Sequence, residues 1–275
     1  GAPFCVAVDN CSNALFLALK YENIEGKKIA IPARTYPSVP CEIILAGGKG
    51  TRLAPYTHIL PKPMMPIGDR AILEVILGQF SRAGISEVTL AVGHLASLMQ
   101  AYFGDGSRYG LNIHYAYEEK PLGTAGPLAF VDGLTDTFLV ANGDILTLLD
   151  INQLIAFHKE QKAVCTIASH KRTHVINLGV IEHTAGTYRV DGYVEKPTMN
   201  YLVSMGMYVF EPKVLDFIPK GEYFDFPKLV NALLEAGEPL MCFPYDGYWR
   251  DLGNQDDYLA ANEDFESMRS QFLAE

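Results

Sequence analysis

The sequence predicts an α/β fold in which a doubly wound, mostly parallel sheet is covered by helices on both faces. From Glu42 onward, short apolar segments of strand length alternate with segments whose apolar residues recur at helical spacing, and this alternation is typical of such sheets. Of the 275 residues, 49% are hydrophobic, which is enough for one large buried core. Later in the chain, residues 177–210 change to short strands broken by glycines, which indicates a small β-rich insertion on the substrate side.

The individual elements follow from the local patterns. The predicted strands of the sheet are 42–45, 87–92, 112–117 and 137–141. A helix between the first two strands is indicated by one apolar stripe, and Gly84 closes it; the stripe consists of Ile72, Leu73, Ile76, Leu77 and Phe80. Helices are also expected at 226–236 and at 256–267.

Charge and cysteine content exclude several classes of function. With 22 basic against 32 acidic residues, the net charge of −10 makes nucleic acid a poor partner. No apolar run approaches the roughly 20 residues that span a bilayer, so no membrane association is expected. The five cysteines are scattered, without the spacing of a disulfide framework or a zinc site. These features favour a cytoplasmic protein.

The sharpest local signal is the glycine-rich segment 45–53, which directly follows the first predicted strand and precedes Pro61-Lys62-Pro63. Glycines after a strand allow backbone amides to approach phosphate oxygens, and Arg52 and Lys62 bring positive charge to the same place. The segment matches neither a P-loop nor the dinucleotide-binding fingerprint. We therefore expect a separate class of triphosphate loop, whose candidate nucleotide-binding residues are Leu45, Ala46, Gly47, Gly48, Gly50 and Thr51.

One acidic residue extends the pattern. Asp144 lies just past the carboxyl end of a predicted strand, where ligands of open α/β sheets bind. A lone Asp after a strand is more often a turn former or a helix cap. Magnesium, however, prefers one or two carboxylates together with phosphate oxygens and water, so Asp144 is a candidate ligand.

These motifs, in this order, resemble the nucleotide-sugar pyrophosphorylases, which are sugar-1-phosphate nucleotidyltransferases, over residues 41–266. The resemblance implies a single Rossmann-like domain at 41–275. It also implies that Gly47 and Gly48 line the nucleotide and that Arg52, Lys62 and Asp144 are catalytic. Trp249-Arg250-Asp251 resembles the family's second metal motif, so the resemblance further implies that Asp144 and Asp251 together bind Mg²⁺, in keeping with the one or two carboxylates that this ion prefers. The implied reaction joins a nucleoside triphosphate and a sugar 1-phosphate to give a nucleotide sugar and pyrophosphate.

The same resemblance assigns a sugar-phosphate side. Glu195-Lys196-Pro197 matches a family motif in which the lysine binds the sugar phosphate and the glutamate binds sugar hydroxyls, and Gly179 is expected to contact the sugar. One departure is Ser204-Met205-Gly206, where the family usually has Asn-Ala-Gly. Ser204 is therefore a candidate with a shorter donor than usual.

For the nucleotide, the segments 103–107 and 118–126 resemble mannose- and heptose-phosphate guanylyltransferases, so GTP is favoured. The base is expected between the loop near His94 and the turn at Gly123, with Asn142 as a further nucleotide contact. A uridylyl- or thymidylyltransferase of the same family, or a catalytically silent nucleotide-sugar-binding protein, stays an alternative. The chain is also a candidate homo-oligomer.

The first residues need a separate account. Residues 4–40 resemble a fragment of a pyridoxal-phosphate-dependent sugar aminotransferase, in which a strand runs into a helix that binds the cofactor phosphate. About forty residues cannot hold that cofactor, and the chain offers no Schiff-base lysine in the matching context. We therefore expect residues 1–40 to be an aminotransferase-like fragment with a structural role.

Overall fold

A computed structural model of the protein describes residues 41–48 and 50–273. These residues lie within one compact unit, Val39–Glu275. The expectation for residues 1–40 falls outside the described part of the chain and stays a prediction.

The described elements agree closely with the expected ones, since the first three predicted strands have the predicted bounds. In chain order, the elements are β1 (Glu42–Leu45), β2 (Pro66–Ile67), β3 (Arg70–Ala71), α1 (Ile72–Arg82), β4 (Glu87–Val92), α2 (Ala96–Phe103), β5 (Asn112–Tyr117), β6 (Phe138–Asn142), β7 (Ile145–Thr147), α3 (Ile151–Gln161), β8 (Cys165–Val175), β9 (Val180–His183), β10 (Val190–Val194), β11 (Thr198–Phe210), α4 (Phe226–Glu235), β12 (Leu240–Tyr245), β13 (Trp249–Asp251), α5 (Gln255–Ser267) and α6 (Arg269–Leu273).

The core of the fold is a seven-stranded sheet with the strand order β12-β8-β11-β6-β1-β4-β5. Each neighbouring pair is parallel except the two pairs that contain β11, which runs antiparallel to β6 and to β8. The predicted α/β class with a mostly parallel sheet is confirmed. Because β1 lies between β6 and β4, the segments that follow these three strands meet at one edge of the sheet.

Helix α1 shows how the apolar stripe produces this packing. Its residues Leu73, Ile76, Leu77 and Phe80 are almost completely buried, as expected for one face of an amphipathic helix. At its start, the Glu74 carboxylate accepts a hydrogen bond of 2.9 Å from the backbone N–H of Ala71, which satisfies a donor that the helix itself leaves free.

One part of the predicted insertion instead belongs to the central sheet. Residues Met205 to Phe210 of β11 are buried, Met207–Phe210 pair with β6, and Tyr208–Phe210 also pair with β8. Their near-continuous apolar run suits a strand that is covered on both faces. The glycines in residues 177–210 do not by themselves distinguish such a strand from an exposed hairpin.

Beyond this point the chain extends past the sheet. Strand β6 ends at Asn142, whereas β8 and β11 continue to pair with each other from Ser169–Ser204 to Val175–Thr198. Since β8 is parallel to β6, this extension projects from the edge where β1, β4 and β6 end. We call residues 170–203 the arm; it also contains the β9–β10 hairpin.

None of the helices in the described ranges is both long and apolar enough to cross a lipid bilayer.

Candidate active site

The glycine-rich loop begins where β1 ends. Backbone hydrogen bonds attach both sides of this point to neighbouring strands: Ala46 N–H donates to Ala91 at 2.9 Å, and Gly143 N–H donates to Leu45 at 3.0 Å. At Gly50 the chain turns with φ +59°, and a Cβ there would lie 2.8 Å from Cγ2 of Thr57. Glycine is therefore required at this turn.

After the turn, a short 3₁₀ segment, Thr51–Leu53, sets the direction of the arginine. Leu53 is buried in the core while Arg52 is exposed. The buried leucine thus anchors the segment and leaves the guanidinium at the surface.

The loop, the two cations and Asp144 enclose a cavity of about 220 Å³. Its lining residues are Leu45, Ala46, Gly48, Gly50, Thr51, Arg52, Lys62, Pro63 and Asp144. A Cβ at Gly48 would meet no atom within 4 Å, so the loop is open to an incoming group at this point. Residues that are 99 positions apart in the sequence therefore line one space.

Lys62 is held in this cavity with little freedom. It is 8% exposed and begins a 3₁₀ turn, Lys62–Met64, with Pro61 and Pro63 on either side. Its ammonium group forms an ion pair with the Asp144 carboxylate. The buried cation and the carboxylate are thereby fixed beside the glycine loop.

Asp251 reaches the same place from the other end of the chain. Strand β13 pairs Asp251 with Ile145 of β7, and Leu252 N–H donates to the Asp144 carbonyl at 3.0 Å. Loss of hydration raises the pKa of the Asp251 carboxyl, the Asp144 carboxylate raises it further, and Lys62 and Arg52 act in the opposite direction.

Arg52 lies near Asp251. A Cβ at Gly253 would lie 3.0 Å from Oδ1 of Asp251 and 3.4 Å from Nη1 of Arg52. The glycine therefore gives room to both groups.

This pair of carboxylates fits magnesium. The described residues contain no group of three or more His, Cys, Asp or Glu side chains placed to hold a metal ion, but Mg²⁺ characteristically takes one or two carboxylates and completes its shell with water and substrate phosphates. Burial and, after it, repulsion from Asp144 raise the pKa of Asp251, and a bound cation would relieve that repulsion.

A second cavity of about 290 Å³ adjoins the first, since Leu45, Gly48 and Asp144 line both. The other residues that line the second cavity are Gly47, Glu118, Pro121, Gly123, Thr124, Asn142 and Tyr223. The predicted nucleotide residues Gly47, Gly123 and Asn142 therefore share this space. Glu118 and Tyr223 also line it, although the sequence analysis did not name them as site residues.

Glu118 directly follows β5 and is half-buried against the glycine loop. A Cβ at Gly47 would lie 2.6 Å from its Oε1, and Leu122 N–H donates to its Oε2 at 3.3 Å. Burial raises the pKa of Glu118, and the hydrogen bond from Leu122 opposes that effect. The signal that could have found it is its position after the carboxyl end of a predicted strand, the same signal that identified Asp144.

The turn at Gly123 has a structural reason for its glycine. Its φ is +81°, and a Cβ would lie 2.5 Å from the Phe224 carbonyl oxygen, which itself accepts hydrogen bonds from Ala125 and Gly126. Phe226 N–H also donates to Thr124 Oγ1 at 2.9 Å. This contact fixes the segment that presents the exposed Tyr223 ring to the cavity.

Two further predicted residues occupy different positions. Asn142 ends β6 and packs against Gly206, where a Cβ would lie 2.6 Å from the Asn142 side chain. His94 is exposed in the loop after β4 and is not among the residues that line the two cavities. Its neighbour Gly93 approaches the Gly47 carbonyl oxygen, which lies 3.2 Å from where a Cβ would be. A base-reading role for His94 stays a prediction.

The predicted sugar residues lie on or next to the arm. Gly179 allows Tyr193 to pack closely, since a Cβ would lie 1.9 Å from its hydroxyl oxygen, and that hydroxyl donates to Glu195 at 3.1 Å. Lys196 has φ +46° and is exposed.

Ser204 lies where the arm joins the sheet, and its hydroxyl donates to the Tyr208 hydroxyl at 2.9 Å. Neither Ser204 nor the other predicted sugar residues line the two cavities. The arm nevertheless projects from the edge that carries them. The sugar roles stay predictions.

Comparison with known proteins identifies the family and agrees with the fold. Residues 41–268 match the model of the nucleotidyl transferase family. The chain therefore belongs to the nucleotidyl transferase family.

Two curated relatives are similar to this chain at the sequence level. A UTP–glucose-1-phosphate uridylyltransferase from Synechocystis sp. is 35% identical over 243 residues, which cover 80% of this chain and 61% of the relative. A mannose-1-phosphate guanylyltransferase from Mycobacterium tuberculosis is 37% identical over 230 residues, which cover 81% and 63%. The chain thus spans about three fifths of the length of these relatives.

Among solved structures, HddC from Yersinia pseudotuberculosis has the same fold. The TM-score is 0.64 at 23% identity, and the match covers 82% of this chain and 100% of HddC.

Proposed function

We propose that this protein is a sugar-1-phosphate nucleotidyltransferase that makes a nucleotide sugar and pyrophosphate, with GTP as the preferred triphosphate. The observation that carries the proposal is that Arg52, Lys62 and Asp144 line one cavity beside an open glycine loop, and that Asp251 lies close enough to interact electrostatically with all three. Two anionic substrates can bind to an acidic protein because these cations are concentrated locally.

The reaction is one in-line displacement. A phosphate oxygen of the sugar 1-phosphate attacks the α-phosphorus of the triphosphate, a new P–O bond forms, and pyrophosphate leaves with the electrons of the broken bond. Nucleophile and leaving group are already oxyanions, so alignment and charge neutralisation suffice without a general base.

Each site residue has a distinct task in this reaction. Backbone amides of the glycine loop bind the triphosphate, and Arg52 neutralises its negative charge. Lys62 follows the pyrophosphate as it leaves, and its buried position keeps it aligned. Asp144 and Asp251 would hold Mg²⁺, which supplies positive charge beside the reacting phosphates.

The preference for GTP rests on Glu118. A carboxylate accepts two parallel hydrogen bonds, and the Watson–Crick edge of guanine offers two adjacent donors, N1–H and the 2-amino group. Uracil and thymine offer only one N–H donor there. Because burial penalises the Glu118 carboxylate, a ligand that donates two hydrogen bonds offsets the lost hydration. The mannose-1-phosphate guanylyltransferase among the relatives supports the same choice.

A pyrophosphate-release screen tests the proposal. The five common triphosphates would be assayed with Mg²⁺ against mannose 1-phosphate, glucosamine 1-phosphate and glucose 1-phosphate. We expect release to require both substrates, with GTP preferred. If UTP or dTTP exceeded GTP by tenfold or more, about 1.4 kcal/mol, the guanylyl preference would be wrong while the class stood.

A matched pair of variants controls the screen. Asp144→Asn removes a proposed metal ligand after β6, whereas Asp136→Asn makes the same change on an exposed residue before β6. Only the first should lose activity. Binding of nucleotide sugar by a wild-type protein that releases no pyrophosphate would instead favour the silent binding protein.

Two further expectations, for the cellular location and the oligomeric state, accompany this function. The free thiols of Cys41, Cys165 and Cys242 fit the cytoplasmic location that we infer. Assembly into a homo-oligomer also stays a proposal, and the molar mass in solution would test it.

A further inference from the structure

The arm carries a cation that the proposed mechanism does not use. Arg172 is exposed in the part of β8 that extends beyond the sheet. Its guanidinium carbon lies 5.2 Å from the ring centroid of Trp249. Among the ion pairs of residues 41–48 and 50–273, none involves Arg172. The charge is therefore held by an aromatic face and is not neutralised by a carboxylate.

Trp249 connects this cation to the active site. It lies in β13 two residues before Asp251, so both side chains project to the same side of the strand. The indole N–H donates to the Met205 carbonyl at 2.9 Å, and its ring lies 5.4 Å from that of His170. The indole is thus fixed between the base of the arm and the strand that presents Asp251.

The surroundings of Arg172 suit a sugar phosphate. Tyr201 is its direct cross-strand partner, so the tyrosine and the arginine share one face of the arm. An arginine stacked on an aromatic ring keeps its fork of N–H donors free and preoriented for phosphate oxygens. Exposed aromatic rings beside such a cation offer an apolar surface to the rest of the ligand.

We propose that Arg172, held over Trp249, binds the phosphate of the sugar 1-phosphate on the arm side of the cleft. This inference rests on the proposed function and deepens it, because it assigns a recognition residue that the sequence motifs do not contain. Arg172 complements Lys196, which the resemblance alone assigns to the same phosphate.

Steady-state kinetics test the inference. In Arg172→Met, the KM for mannose 1-phosphate at saturating GTP should rise about tenfold or more, as expected when a charge-assisted hydrogen bond is lost. The KM for GTP should stay within about twofold, a margin well below the tenfold that corresponds to 1.4 kcal/mol. Arg172→Lys, which keeps the charge but loses the planar stacking, should fall between the two proteins.

Arg189→Met is the matched control, since Arg189 is an exposed arginine of the same arm whose nearest charged partner is Asp191 at 3.8 Å. It should behave as the wild type. An unchanged KM for mannose 1-phosphate in Arg172→Met, or a rise confined to the KM for GTP, would overturn the inference.

A binding measurement separates this inference from the proposed reaction. Trp249 is the single tryptophan of the chain, and mannose 1-phosphate does not absorb in the near ultraviolet, so tryptophan fluorescence reports binding at this place without catalysis. We expect a saturable change whose midpoint shifts about tenfold upward in Arg172→Met but not in Arg189→Met.

Three ligands define which group is recognised. Mannose 1-phosphate should bind with a lower midpoint than inorganic phosphate, and free mannose should give no change in the same range. An equal response to free mannose would contradict phosphate recognition. If the wild type released no pyrophosphate yet showed the Arg172-dependent shift, the proposed reaction would fail and the binding site would stand.

Discussion

The two cavities beside the glycine loop form the part of the site that we call the nucleotide half, because we propose that the triphosphate binds there. This half and the arm are built in opposite ways. The glycine loop is attached by backbone hydrogen bonds to β4 and to the segment after β6, and its charged neighbour Lys62 is 8% exposed. In the arm, the described part of β8 from Lys171 onward pairs only with β11, and large side chains such as Tyr201 lie exposed.

If the proposed function is correct, this difference indicates which part of the reaction each region serves. Phosphate transfer needs fixed charges, because misplacement of a reacting group by about 1 Å can lower the rate 10²-fold. Recognition of a sugar needs a surface whose side chains can change without disturbing the sheet. The difference predicts large effects on turnover in the first region and effects on one KM in the second.

The largest effect is expected at the two carboxylates that we propose as metal ligands, Asp144 and Asp251. Asp144→Asn or Asp251→Asn should lower kcat by about 10²-fold or more, since each change removes a charge that we propose holds Mg²⁺. Initial rates at several Mg²⁺ concentrations would measure it, with thermal unfolding as the check on folding and Asp136→Asn as the control. Near-normal kcat in either variant would remove the metal assignment.

The two lysines test the comparison directly. Lys62→Met should weaken use of the triphosphate, whereas Lys196→Met should mainly raise the KM for sugar 1-phosphate, in each case by about tenfold. The measurement is the pair of KM values for each variant. Interchanged effects would show that the two phosphates are placed the wrong way round.

A smaller change is expected in the selectivity for the nucleobase. Glu118→Gln replaces a carboxylate that accepts twice by an amide that accepts once and donates once, so the ratio of kcat/KM for GTP over UTP should fall by about tenfold, or 1.4 kcal/mol. Glu119→Gln, which changes an exposed neighbour, is the control. If the ratio of kcat/KM for GTP over UTP were unchanged in Glu118→Gln, Glu118 would not be the residue that recognises the nucleobase.

The smallest kinetic effect is expected at the other edge of the sheet. Glu42 begins β1, is completely buried, and neither carboxylate oxygen has a hydrogen-bond partner within the described residues. Burial raises its pKa well above the ordinary value. Glu42→Met should stabilise the fold by about 1–3 kcal/mol at neutral pH and leave the KM values unchanged.

The pH dependence of Glu42 has a definite sign. Its folded pKa is raised, so the stability that it permits is fully present below the ordinary pKa of glutamate and is lost as the pH rises through the folded pKa. Urea unfolding should therefore show a larger gain from Glu42→Met at pH 8 than at pH 5. An equal gain at both values would contradict a protonated Glu42 in the folded protein.

Much of the nucleotide half could be predicted because its residues follow strand ends. The pattern placed β1, β4 and β5 at their observed bounds, and the spacing of Arg52, Lys62 and Asp144 predicted a shared site. Glu118 obeys the same rule, but the sequence analysis used its segment, 118–126, only to infer the preferred triphosphate and did not name Glu118 as a site residue.

The arm could be predicted much less well. The contact of Arg172 with Trp249 joins residues 77 positions apart through two strands, and neither residue carries a local sign of it. The passage of β11 through the central sheet was also missed, since apolar residues in a glycine-punctuated region favour a separate hairpin equally well. Such pairings depend on the tertiary register, which periodicity does not encode.

The central claim is that the cleft joins two phosphorylated substrates without hydrolysing either one. Phosphorus-31 NMR of GTP, mannose 1-phosphate, Mg²⁺ and the wild-type protein tests it most directly. We expect a nucleoside diphosphate sugar and pyrophosphate to appear in equal amounts. Added pyrophosphate should reverse the reaction and regenerate GTP and mannose 1-phosphate. Inorganic phosphate as the main product would contradict the account. So would spectra that stay unchanged with each of the five triphosphates of the screen.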